Sequence, residues 1–262
     1  MRASLIQIAV EPDEPVETRR ARVARLVREE GGAADLVVLP ELWPVGAFAY
    51  ESFAAEAEPL KGPTYEAMAA AARDAEVWLH AGSIVEAASG ALYNTSLLFS
   101  PDGELAASYR KIHRFGFDKG EAVLMAAGED LVTVDLPQLT VGVATCYDLR
   151  FPELFRGLVD AGAQAFVIPA GWPARRRAHW TLLAQARAVE NQAYVLACGT
   201  AGTHADVEQA GHSIVVDPWG EVLAEAGPDE EILRVVLDPA KVTATREQFP
   251  ALKDRVLKDR VL

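Results

Sequence analysis

A chain of 262 residues, 50% hydrophobic and 24% charged, is long enough to bury a substantial core and has the balance of a globular protein rather than a disordered one. Its formal net charge of −13 and pI near 4.9 argue against a nucleic-acid binder or a protein held to anionic membranes. Apolar runs too short to span a bilayer, an N-terminus without the signal-peptide pattern and two widely separated cysteines lead to the expectation of a cytoplasmic protein with free thiols.

Residues 4–10 read as a buried strand. Asp13, Glu14 and Pro15 then open a helix in which Val16, Val23, Leu26 and Val27 recur at helical spacing until Gly31 and Gly32 stop it. The run 36–39 predicts a strand buried on both faces, halted by Pro40, which leaves Glu41 at the strand's end. Beyond a loop rich in aromatics and acids, Pro63 starts an alanine-rich helix reaching about residue 75. Segments 77–85, 93–99 and 105–110, separated by Ser89-Gly90 and Pro101-Asp102-Gly103, predict an antiparallel meander. Residues 111–128 form a long loop carrying Lys111, His113, Lys119 and Glu121, and long loops in compact domains are often functional.

Strands are next expected at 131–135 and 140–146, a helix at 152–161 closed by Gly162, and a strand at 165–169. The helix 178–191 is apolar almost all round, which predicts cover by a second subunit. Segments 194–198, 213–217, 222–224 and 232–237 complete the strand set. The chain shows no linker, so a single domain is expected over 1–262, with 245–262 as a tail in which KDRVL occurs twice. Five residues are too few for a structural repeat.

The stretch VGVATCYDLRFPE at 141–153 organises the chemistry. Strict alternation along the strand places Gly142, Ala144 and Cys146 on one face, and Pro152 with Glu153 then opens a helix. A thiol at such a corner sits beside free backbone N–H groups, although cysteine also packs often as a small hydrophobe. Glu41, Lys111 and Cys146 each end an apolar strand, where layered α/β proteins bind ligands. A cysteine nucleophile needs a base, which a carboxylate can provide, and acyl transfer needs donors at the oxyanion, which Lys111 and the Tyr147 N–H could supply. Taken singly, Glu41 reads more readily as a salt-bridged loop carboxylate and Lys111 as a snorkelling surface lysine. A Cys146–His113 dyad is a further arrangement, Cys198 reads as core, and Arg150 as a residue that orders the nucleophile turn. No histidine pairs with a carboxylate at metal-binding spacing.

Pro40 to Leu42 (PEL), Arg110 to Gly116 (RKIHRFG) and Thr145 to Leu154 (TCYDLRFPEL) resemble, in order and spacing, the nitrilase superfamily of carbon-nitrogen hydrolases. PAGW at 169–172 and RAVENQAYV at 187–195 extend the likeness over most of the chain. The resemblance implies an α/β fold, a four-layer α-β-β-α sandwich with two mixed β-sheets, whose subunits pair through the helix after Cys146 and the helix 178–191 into a homodimer or higher homo-oligomer. It implies Glu41 as general base, Lys111 as oxyanion stabiliser, Cys146 as nucleophile and Glu121, ahead of Gly128, as a second active-site carboxylate, with no metal or organic cofactor. Ala127 stands before Gly128 where relatives often have proline. The wording around Cys146 is similar to amidase branches, including omega-amidases, so a small carboxylate-bearing amide is the expected substrate. Ala170, Trp172, Arg175 and Arg176 beside the pocket are then the expected substrate contacts, one arginine holding the carboxylate bidentately. The same fold also admits a nitrilase or an N-carbamoyl amidohydrolase, and a different class, a catalytically silent scaffold, is opposed by the intact Glu41, Lys111 and Cys146 set.

Overall fold

Strand β1 (Arg2–Gln7) carries Leu5 and Ile6, consecutive and fully buried. Neighbours on a strand point to opposite faces, so a packed layer must lie on each side. The computed structural model, which describes residues 1–256, provides both layers. Leu5 enters a core shared with the other sheet, and Ile6 enters one shared with helices.

The first sheet contains β1, β2 (Leu36–Val38), β3 (Trp78–Ala88), β4 (Ala91–Phe99), β5 (Leu105–Arg110) and β14 (Glu231–Val236), in the order β14-β1-β2-β3-β4-β5. The second contains β6 (Thr133–Asp135), β7 (Thr140–Val143), β8 (Ala165–Ala170), β9 (Tyr194–Gly199), β12 (Ile214–Val216) and β13 (Val222–Glu225), in the order β13-β12-β9-β8-β7-β6. Each is mixed: β1–β2–β3 and β7–β8–β9 are parallel at the centre, and antiparallel partners flank them.

Face to face, the sheets enclose Leu5, Val38, Leu98, Val143, Val167 and Leu196. Cys198 lies in the same layer with its thiol 3.4 Å from the Ile6 and Val38 carbonyls, in keeping with its reading as core. Outside the first sheet pack α1 (Val16–Glu29) and α2 (Pro63–Ala75) through Val23, Val27, Met68 and Ala72. Outside the second pack α4 (Pro152–Asp160) and α5 (Arg177–Asn191) through Phe155, Leu158, Trp180 and Ala184. The result is the α-β-β-α sandwich expected from the resemblance.

Three local expectations need correction. The strand expected over 140–146 ends at Val143, and Cys146 has φ +49, a left-handed backbone that breaks the alternation placing it on a face with Gly142. The long loop after Lys111 contains a short helix, α3 (Glu121–Leu124). The tail does not start at 245: helix α6 (Ala240–Gln248) runs through it, and Arg255 makes a two-pronged ion pair with Asp160 at 2.7 and 2.8 Å. The second KDRVL copy, at 258–262, lies outside the described residues, as does Leu257. A hairpin of β10 (Thr203–His204) and β11 (Val207–Glu208) was also not expected from the sequence. Among the described residues, no helix is long and apolar enough to cross a membrane.

Candidate active site

Glu41 follows β2 on a turn that docks into β3. The register of β3 shifts between His80 and Ser83, and Gly82 at φ +66 lets the Pro40 carbonyl approach so closely that a β-carbon there would lie 2.0 Å from its oxygen. The Ser83 hydroxyl accepts the Leu42 N–H at 3.0 Å and the Ala81 carbonyl accepts the Trp43 indole N–H at 2.9 Å. These bonds fix the backbone of the turn that presents Glu41.

Lys111 follows β5 and is 2% exposed. Its Nζ donates to Glu41 Oε1 at 2.6 Å and to Glu121 Oε2 at 2.7 Å. The loop beyond it is anchored by Gly128, whose N–H donates to the Lys111 carbonyl at 3.0 Å and whose missing side chain admits the Arg110 carbonyl. A β-carbon at 128 would stand 2.0 Å from that oxygen, so glycine itself sets this loop whether or not proline precedes it. Glu121 heads α3, and its Oε2 also accepts the Phe115 N–H at 2.7 Å.

Cys146 opens a 3-10 turn over Cys146–Arg150. A non-glycine residue held at positive φ costs on the order of 1–3 kcal/mol, and such strain gathers at functional sites. A capping box closes the turn: Asp148 N–H reaches the Thr145 side chain, and Asp148 Oδ2 accepts the Thr145 N–H at 2.9 Å. The thiol points toward the Gly171 carbonyl at 3.7 Å, and the Gly171 N–H donates to Glu41 Oε2 at 2.8 Å. The first turn leaves the Tyr147 N–H without a preceding helical acceptor.

Glu41, Lys111, Glu121 and Cys146, from four separate segments, therefore border one cleft. Burial raises the Cys146 pKa well above the ordinary thiol value, and the Glu41 charge raises it further against the opposing effect of Lys111. Burial works against the Lys111 ammonium, yet Glu121 and Glu41 outweigh it and hold the pKa well above the ordinary lysine value. Burial also raises Glu121, with Lys111 opposing and Glu41 adding. The resting site is a protonated thiol beside an ammonium held by two carboxylates.

Trp172 and Arg176 border the same cleft, but Arg175 is exposed and does not, and Ala170 ends β8 with no exposure, in the core. The strand carries Ala170 inward, so Gly171, one residue later, is the one that faces the cleft. Arg176 stacks over Phe115 at 5.1 Å and has no carboxylate partner among the described residues. Arg150 also borders the cleft, over Trp172 at 5.0 Å, and contacts His179 Nδ1 at 3.2 Å. His113 does not border the cleft; its Nδ1 sits 2.7 Å from Asp148, which removes the Cys146–His113 dyad. No group of three metal-ligating side chains occurs among the described residues.

Asn94 was missed from the sequence. From the middle of β4, its Nδ2 donates to Glu41 Oε1 at 2.8 Å and to Glu121 Oε1 at 2.5 Å. It bridges the two carboxylates, sharing Glu41 Oε1 with the ammonium. An isolated asparagine within an apolar meander carries no periodic signal that would single it out.

The carbon-nitrogen hydrolase family model matches residues 2–247. The chain is 43% identical over 258 residues to a 2-oxoglutaramate amidase of Paenarthrobacter nicotinovorans, covering 95% of this chain and 87% of that protein. It is 37% identical over 265 residues to omega-amidase NIT2 of Homo sapiens, covering 97% and 94% respectively. In structure it is similar to Saccharomyces cerevisiae Nit3, a member of branch 10 of the nitrilase superfamily, with TM-score 0.85 and 33% identity over 100% of this chain and 97% of that one. A CN-hydrolase superfamily protein of Xanthomonas campestris, with an arsenic adduct in its active site, superposes with TM-score 0.90 and 30% identity over 97% of both chains.

Proposed function

Because the chain belongs to the carbon-nitrogen hydrolase family, we propose that it hydrolyses a small carboxylate-bearing amide to the acid and ammonia through a thioester on Cys146. The observation that carries this reading is the convergence of Cys146, Glu41 and Lys111 in a cleft that also holds an unpaired guanidinium, Arg176. The amidase names of the relatives support the reaction class.

Glu41 takes the proton from Sγ, and the thiolate attacks the amide carbon. Lys111 and the Tyr147 N–H stabilise the oxyanion as it forms. The C–N bond breaks as Glu41 returns its proton to the departing ammonia, with Glu121 holding Lys111 in place throughout. Water then attacks the thioester carbonyl, Glu41 accepts the water proton, and that proton passes to Sγ as the acid leaves. The resting thiol, its pKa raised, requires such a base.

In the catalytic cluster the one ammonium is already engaged by two carboxylates, which leaves it no free cation for an anionic substrate. Arg176 and Arg150 both border the cleft without a carboxylate partner among the described residues, and Arg176 can hold a carboxylate in a two-pronged contact. Wild-type protein is expected to release ammonia from carboxylated amides in preference to neutral ones, and Cys146→Ala to release none. Arg176→Gln is expected to raise KM for the carboxylated amide about tenfold or more, the loss of a charge-assisted contact worth roughly 1.5–3 kcal/mol. Equal turnover of neutral amides, or an unchanged KM in Arg176→Gln, would sink the carboxylate assignment. Carbon dioxide accompanying ammonia would instead mark a carbamoyl substrate.

Pairing into a homodimer is part of the same reading. Leu182 and Val189 on α5 are 65% and 50% exposed. Val189 abuts the turn at Gly220, beside exposed Trp219, whose ring lies 6.2 Å from that of exposed Phe249. This apolar stretch is the expected seam. Light scattering after size exclusion should read two chains, and Val189→Asp should read one.

A further inference from the structure

Asp148 is fully buried and does not border the cleft, yet its carboxylate gathers four contacts. Oδ2 accepts the Thr145 N–H at 2.9 Å and the Tyr109 hydroxyl at 2.7 Å. Oδ1 accepts the His113 N–H at 3.0 Å and lies 2.7 Å from His113 Nδ1. The His113 ring is stacked on Phe151 at 3.7 Å with an interplanar angle of 6°, so its orientation is set from a second direction. Tyr109 accepts in turn from the Ile112 N–H at 3.3 Å.

These partners have a pattern. Tyr109 and His113 stand two residues on either side of Lys111, on the end of the first sheet. Thr145 precedes Cys146, on the end of the second. One carboxylate thus fastens the segment that presents the ammonium to the turn that presents the thiol. Nothing local to either segment fixes that distance, because the two belong to different sheets. A buried charge without partners is costly, whereas this one is satisfied only when both segments are in place.

We propose that Asp148 is a positioning residue that sets Lys111 relative to Cys146, with His113 as the removable half of the link. The inference rests on the catalytic roles assigned above to Lys111 and Cys146. Hydrolysis needs the oxyanion donor and the nucleophile in register on one carbonyl group, and a displacement of about 1 Å costs on the order of a hundredfold in rate. Arg176, to which substrate binding is assigned, lies on another segment, and its ring contact is with Phe115 rather than with His113 or Asp148. The proposed signature is therefore a fall in kcat at constant KM.

The experiment first establishes that wild-type amide hydrolysis is lost in Cys146→Ala, which tests the catalytic reading by itself. His113→Ala, His113→Asn and Asp148→Asn are then compared by kcat, KM and Tm. Asparagine at 113 can place an amide N–H near the position of Nδ1 and restore the donor to Asp148. His113→Ala and Asp148→Asn are expected to lower kcat about ten- to hundredfold with KM within about twofold, and His113→Asn to recover most of the loss. Combining His113→Ala with Asp148→Asn should cost little more than the worse single change, since both break one link. The proposal is overturned if folded His113→Ala keeps wild-type kcat, if His113→Asn is no better than His113→Ala, or if the loss falls on KM. Should Asp148→Asn fail to fold, the His113 pair decides the matter, because that side chain is 27% exposed and its truncation opens no core cavity.

Discussion

Replacing Lys111 by methionine is expected to abolish measurable amide hydrolysis and to destabilise the fold together. The two effects have one origin. The ammonium is the shared partner of Glu41 and Glu121, at 2.6 and 2.7 Å, and both carboxylates are buried. Methionine fills much of the same volume but leaves two like charges bridged only by Asn94. Breaking a buried ion pair on one side costs on the order of 3–5 kcal/mol, because the remaining charge stays buried. Loss of one oxyanion donor costs on the order of 10²–10³ in rate. The stability loss has a direction in pH. Without the ammonium, the burial and the Glu41 charge that already raise the Glu121 pKa act unopposed by Lys111, so the folded variant binds a proton more readily than the unfolded chain. Its stability deficit is therefore largest at about pH 8 and narrows as pH falls toward about 5. Thermal melts of wild type and Lys111→Met across that range check it, and a constant gap would mean that Glu41 and Glu121 are not held by Lys111.

Glu41→Gln should separate two quantities that a loss of folding would lower together. Amide turnover is expected to fall on the order of 10²–10⁴-fold, since glutamine cannot take the thiol proton. Alkylation of Cys146 by iodoacetamide, which consumes only thiolate, should become faster at any given pH. After burial, the Glu41 charge is the largest influence raising the thiol pKa, and the substitution removes it. In the wild type the alkylation rate should rise about tenfold per pH unit through about pH 9 without levelling, as expected for a thiol whose pKa lies above its ordinary value. Turnover within about tenfold of wild type would remove Glu41 from the role of base.

The parts of the site that could be read in the sequence are those written in short contiguous words. Pro40 ending an apolar run marks Glu41, and the run before Cys146 marks the thiol. The resemblance of these words to a family then supplies the sheet-on-sheet architecture. What could not be read depends on lateral pairing or on backbone torsion. Asn94 meets Glu41 because β4 lies beside β3, whose bulge holds the turn at Pro40. Asp148 stood inside a quoted motif, yet its partners Tyr109 and His113 come from the other sheet. The left-handed Cys146 is invisible to a period-two pattern, which carried the strand three residues too far. Among the arginines after PAGW, a short 3-10 turn over Ala174–Arg176 decides that the second and not the first faces the cleft, and a run of three identical residues gives no sign of that choice.

The contact from Gly171 to Glu41 joins residues 130 positions apart, and Lys111 reaches Glu41 across 70. Closing such long loops is entropically slow and is repaid only when the sheets dock. Each sheet could hold its own hydrogen bonds while the pair stands slightly ajar, and in that state Glu41 and Lys111, both on the first sheet, no longer share a space with the thiol on the second. Activity is thus a property of the seam rather than of either half. Conditions that loosen this inter-sheet seam are therefore expected to silence the protein while its secondary structure is still intact.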